Sequence, residues 1–124
     1  MTPKHVVTAA LLLLLARPAA AQGLRFSMDP GWRFTLGDPQ GAETPGFDDH
    51  QWRRLDLPHD WSIEGAQDQS APAGGRGGFF PTGIGWYRKA FRLPAGPHGR
   101  EVWLEFDGVY MNSDVWINSH HVGQ

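Results

Sequence analysis

The stretch Leu57-Pro58-His59-Asp60-Trp61-Ser62-Ile63-Glu64-Gly65 sets a histidine, two carboxylates and a tryptophan directly after a proline. Such side chains can break bonds in a hydrolytic site. Retaining glycoside hydrolysis, for one, needs two carboxylates about 5–5.5 Å apart, one protonated and one ionised. Asp60 and Glu64 are the close acidic pair beside an aromatic- and glycine-rich loop. Their placement argues against that role. Both lie on one short turn, whereas a reacting pair has to reach opposite faces of the bond. The favoured reading has Asp60 accepting backbone N–H bonds at the turn after Pro58, with Glu64 solvated.

His59 has a rival reading as a general base, but a Ser-His-Asp triad is assembled by the fold and leaves no fixed spacing. Ser62 is not set in the G-x-S-x-G elbow that exposes a nucleophilic serine. An edge-lining histidine is favoured. His120-His121 raises metal binding, yet adjacent residues on a strand point to opposite faces and cannot chelate one ion. No metal or other cofactor is expected. Trp61 and Trp86 offer flat rings that stack on the apolar face of a pyranose, with nearby acids or amides to fix its hydroxyls. Their competing reading is ordinary sandwich core. Lys89 falls among Tyr87 and Phe91 on an inward face, and either snorkels to a sheet edge or pairs with Asp107 or Asp114.

The elements that hold these residues read as strands. Short segments of period two alternate with Gly, Pro, Asp and Asn, the pattern of an all-β domain. Strands are expected at Leu24–Met28, Trp32–Gly37 and Arg53–Leu57, the last ended by Pro58. A turn over Asp48–Gln51 is clamped by Phe47 and Trp52. Gly85–Pro94 is the clearest strand. Glu101–Gly108 follows with Val102, Leu104 and Phe106 inward, then Ser113–Asn118 with Val115 and Ile117 inward. Asn118-Ser119 fits a two-residue hairpin turn that needs positive φ at both positions. Val122–Gln124 begins the returning strand, and further strands are expected to complete the sheet. Between Gly65 and Gly85 runs a glycine-rich loop; long loops of this kind are commonly functional or disordered. Its Gly74–Gly78 part is expected to be mobile and Phe79–Gly85 docked.

The first residues form a separate unit. A basic start at Lys4 and His5, an apolar run from Val6 to Ala16 and the small residues Ala19-Ala20-Ala21 have the layout of a secretory signal peptide, with cleavage after Ala21. The apolar run is shorter than the ~20 residues a membrane-spanning helix needs. Residues 22–124 then form one domain of a secreted or periplasmic protein, with no membrane partner after cleavage. The chain carries a net charge of −2 and no cysteine. The first gives no electrostatic footprint for nucleic acid; the second leaves the fold to stand on its core.

Four blocks, GWRFTLGD, FDDHQWRRLDLPHDWSIEG, GIGWYRKAFRLP and VWLEFDGVYMNSDVWINSHHVG, occur in that order. Together they resemble the opening domain of glycoside hydrolase family 2, which includes β-galactosidases, β-glucuronidases and β-mannosidases. The likeness covers about residues 30–123, and the LPHDWSIEG form is most similar to the β-galactosidase type. One departure is Asn118-Ser119, where the family commonly has Asn-Gly. The resemblance implies a jelly-roll β-sandwich that binds sugar, incomplete at its C-terminal end. It also implies an immunoglobulin-like domain and a (β/α)8 barrel elsewhere in the enzyme, the barrel carrying both catalytic glutamates. In family β-galactosidases the loop before the WY strand supplies a polar substrate contact; Thr82, in Pro81–Gly85, is the matching side chain. The resulting expectation is the carbohydrate-binding part of a β-glycosidase, inactive by itself, with Asp60, Trp61, Thr82 and Trp86 as candidate substrate contacts. The alternative is a free-standing lectin-like module without catalysis.

Overall fold

The computed structural model describes residues 24–94 and 101–124. The proposed signal peptide lies outside the described residues. Among the described residues the regular structure is β-strand and short 3-10 turns, with no α-helix. Three strands form one antiparallel sheet: β1 (Trp32–Leu36), β2 (Arg53–Leu55) and β3 (Gly85–Arg88), in the order β2-β1-β3. A second, two-stranded antiparallel unit joins β4 (Val115–Ile117) to β5 (His120–Gly123).

The register explains the core. Phe34 faces Arg53 across one ladder and Tyr87 across the other. Its ring lies 4.9 Å from that of Tyr87 and 5.0 Å from that of His59, and the Arg53 guanidinium sits 5.5 Å from its centroid. Phe34 is therefore buried from three sides, 7% exposed. Period two turns the neighbouring pairs, Arg33 with Arg88 and Thr35 with Trp86, to the other face. Two arginines directly opposite repel each other unless each finds a partner. Arg33 donates to the Trp52 carbonyl at 3.2 Å. Arg88 donates to Asp49 at 3.0 Å, to the Thr44 carbonyl at 3.0 Å and to the Ala42 carbonyl. Residues 37–52 are thereby drawn over this face, with Ala42 fully buried. Phe47 and Trp52 close the segment with rings 5.4 Å apart, the clamp their spacing suggested.

The hairpin turn follows the sequence closely. Asn118 and Ser119 take φ of 50° and 69°, which lets the turn's twist match that of the flanking strands. Other strands are shorter than expected or missing. Leu24–Met28 is not in a ladder, β2 stops at Leu55 and β3 at Arg88. Glu101–Gly108 keeps its alternation but joins no strand ladder among the described residues, and Val102, Leu104 and Phe106 are exposed instead of inward. A strand needs a ladder partner as well as a pattern, because its N–H and C=O groups cannot satisfy one another. Of the two expectations for Lys89, the acid partner is not met and the side chain reaches out to backbone carbonyls ahead of β1. Its Nζ donates to the Met28 carbonyl at 2.9 Å and to the Pro30 carbonyl, over the ring of Trp32, and meets neither Asp107 nor Asp114.

Candidate functional site

Pro58 follows a cis peptide from Leu57, and the chain then turns back across the sheet face that holds Phe34. Asp60 makes the turn: its Oδ1 accepts from the Ser62 backbone N–H at 2.9 Å and the Ser62 hydroxyl at 2.7 Å. This is the structural role its position suggested. A single 3-10 turn, Ser62–Glu64, carries Glu64 back towards β2.

Glu64 is solvent-exposed as expected, its side chain 44% accessible, but it is also paired. The Arg53 guanidinium forks onto it with two bonds of 2.8 Å. His59 Nε2 lies 3.1 Å from Glu64 and also faces an Arg53 N–H. The other ring nitrogen, Nδ1, lies 2.7 Å from the Tyr87 hydroxyl oxygen. Arg53, His59, Glu64 and Tyr87 thus form one knot over Phe34. The Arg53 hydrogen bonds hold the Glu64 carboxyl below the usual carboxylate range. Burial, and then the nearby Asp60 and Glu64 charges, push the Tyr87 hydroxyl up. The His59 side chain is only 11% exposed.

Trp61 lies across the start of β3. A side chain on Gly85 would come within 2.8 Å of its indole nitrogen, so only glycine lets the ring lie this close. Trp86 points to the opposite sheet face. Its ring stacks on Trp116 at 5.1 Å with planes 25° apart, and its Nε1–H donates to Asp38 at 2.8 Å. Trp116 in turn meets His121, whose Nε2 is 2.8 Å from Asp114. The stack ties the three-stranded sheet to the hairpin. The structure therefore gathers Asp60, Trp61 and the loop of Thr82 on one side and sends Trp86 to the other.

The glycine-rich loop closes on itself, and the segment expected to be mobile contains the hydrogen-bonded 3-10 turn Gly75–Gly77. Asp68 N–H donates to the Phe79 carbonyl at 2.9 Å, and the Gln67 amide to the Gly78 carbonyl at 2.7 Å. Sequence reasoning missed Arg53, Tyr87 and Asp68. Period two already placed Tyr87 on the core face, so that role was within reach; the Arg53–Glu64 pair depends on a turn no local pattern encodes.

Comparisons with known proteins show what the chain is similar to. No family model matches the chain. The β-galactosidase BoGH2A of Bacteroides ovatus is 52% identical over 99 residues, which are 80% of this chain and 12% of that protein. A β-glucuronidase of Bacteroides fragilis is 34% identical over 121 residues, 98% of this chain and 15% of that one. A solved glycosyl hydrolase family 2 member from Bacteroides cellulosilyticus superposes with a TM-score of 0.69 at 40% identity, over 79% of this chain and 13% of that structure. The chain is homologous to glycoside hydrolase family 2. It spans about an eighth of the length of the family 2 relatives it matches.

Proposed function

We propose that the chain is the N-terminal, sugar-facing part of an exported family 2 β-glycosidase, and that it folds with further strands into a jelly roll. The substrate class is a terminal β-glycoside, a galactoside first. Bond cleavage is assigned to two glutamates of a barrel that is not among these residues. Asp60, Trp61 and Thr82 are assigned to the edge of the pocket.

The observation that carries this reading is the Arg53 fork on Glu64. A general acid must hold a proton near neutral pH, which requires a raised pKa. Glu64 is moved the other way, and Asp60 is occupied in building the turn. The turn therefore has a positioning role. The 52% identity to a β-galactosidase segment supports the galactoside.

A chimera tests the proposal. Residues 24–124 replace the matching segment of BoGH2A, and aryl β-galactosides and β-glucuronides are assayed. Turnover within about tenfold of the parent is expected, and none from the 124-residue chain alone. A folded but inactive chimera would overturn the assignment. So would hydrolysis by the free chain that disappears in Asp60→Asn or Glu64→Gln.

A further inference from the structure

The turn from Pro58 to Gly65 meets both ends of the segment that leads into β3. A side chain on Gly65 would come within 2.6 Å of the Pro81 ring. One on Gly85 would come within 2.8 Å of the Trp61 indole nitrogen and 3.1 Å of the Phe34 ring. Gly85 is thus held between Trp61 and Phe34, and Pro81 rests on Gly65. With only a glycine hydrogen between them these groups have no slack, so a displacement of the turn is passed on to residues 81–85. Thr82, Gly83 and Ile84 between the two contacts are exposed. From the other side the segment is held by the Gly37 N–H, which donates to the Ile84 carbonyl at 2.7 Å.

Two side-chain anchors place the turn itself. Arg53, on β2, forks onto Glu64 with two bonds of 2.8 Å, and Glu64 directly precedes Gly65. At the other end His59 lies 2.7 Å from the Tyr87 hydroxyl of β3. The bonds from Ser62 to Asp60 are internal to the turn, so they set its shape and not its position. A guanidinium fork fixes angle as well as distance, which a lysine ammonium does not. The Arg53 and Glu64 side chains are about half exposed, and such pairs add little to overall stability. Their effect is on where Gly65 sits. Arg53 makes no hydrogen bond to residues 81–85 among the described residues, so its hold on them passes through the turn.

We propose that Arg53 is a positioning residue: through Glu64 it sets Gly65 under Pro81, and with it the placement of residues 81–85 at the pocket edge. The inference rests on the glycosidase reading above and names the side chain that governs that edge. With the reacting glutamates elsewhere, a displaced edge weakens substrate binding and spares the chemical step, so KM rises while kcat is kept.

The test joins kinetics of the BoGH2A chimera with amide exchange of the full chain. Arg53→Met should raise KM for an aryl β-galactoside about tenfold, with kcat within about twofold. Arg53→Glu combined with Glu64→Arg should restore most of the loss, and Arg53→Lys, which cannot fork, should restore less. Gly65→Ala keeps the ion pair but pushes on Pro81. It should raise KM as well, and with Arg53→Met the two effects should fall short of additive. In the full chain, Arg53→Met should speed exchange of the Gly37 amide at least about fivefold and leave Trp32 to Thr35 unchanged. Glu64→Gln gives the same readings should Arg53→Met not fold. A chimera whose KM ignores Arg53→Met, or whose kcat falls instead, overturns the inference and leaves the glycosidase assignment standing. An inactive chimera ends that assignment, and Gly37 then decides the positioning alone: unchanged exchange in the folded variant overturns it.

Discussion

The β2-β1-β3 sheet and the segment from Glu101 onwards carry equally clear alternation, yet the structure treats them differently. Phe34 is 7% exposed, while Val102 and Phe106 are 58% and 47% exposed. In the first region Phe34 meets cross-strand partners and the turn that carries His59, although Leu36 at the end of β1 is 58% exposed. In the second, Leu104, Val115, Ile117 and Val122, together with Phe91 and Leu93 from beyond the end of β3, line an open apolar face. Alternation says which side of a strand is apolar. It does not say what will cover that side, and burial rather than pattern supplies the stabilisation.

The largest test of this contrast removes a side chain from each region. Phe34→Ala should destabilise the chain by about 3–5 kcal/mol, since it empties the centre of the ring cluster. Leu104→Ala should stay within about 1 kcal/mol, as for other exposed positions. Chemical denaturation read by tryptophan fluorescence measures both, and equal losses would erase the distinction. Aggregation should follow the opposite order: Leu104→Ser with Phe106→Ser should raise the monomer fraction in sedimentation.

A smaller effect concerns the knot over Phe34. Arg53 lowers the pKa of Glu64, so the folded state binds that proton less readily than the unfolded state. The stabilisation is complete above the ordinary glutamate value and is lost as pH falls through the lowered one, from about pH 5 downwards. Glu64→Gln should flatten the acid limb of a melting-temperature profile while leaving the hairpin signals unchanged. An unaltered acid limb would show that the ion pair contributes nothing.

The smallest effect lies in the hairpin. Ser119 sits at φ 69°, a conformation that costs a non-glycine residue about 1–3 kcal/mol, part of which glycine recovers. Ser119→Gly should slow amide exchange in β4 and β5 without moving the melting of the three-stranded sheet. Faster exchange would mean that the serine side chain supports the turn.

The sequence by itself determined the local geometry: the strands at Trp32–Leu36 and Gly85–Arg88, the Phe47–Trp52 clamp and the positive-φ turn at Asn118-Ser119. These depend on backbone sterics and on a two-residue period, both written within a few positions. The four ordered blocks also carried the family resemblance that the relatives bear out. Only the tertiary structure decided what each side chain does. Glu64 is claimed by an arginine 11 residues away, His59 by a tyrosine 28 away and Trp86 by a ring on another strand pair. Whether Val102 or Leu104 is buried was decided there too. A charge or a ring takes its role from the groups within a few ångströms of it, and those arrive by chain reversals that local pattern does not fix.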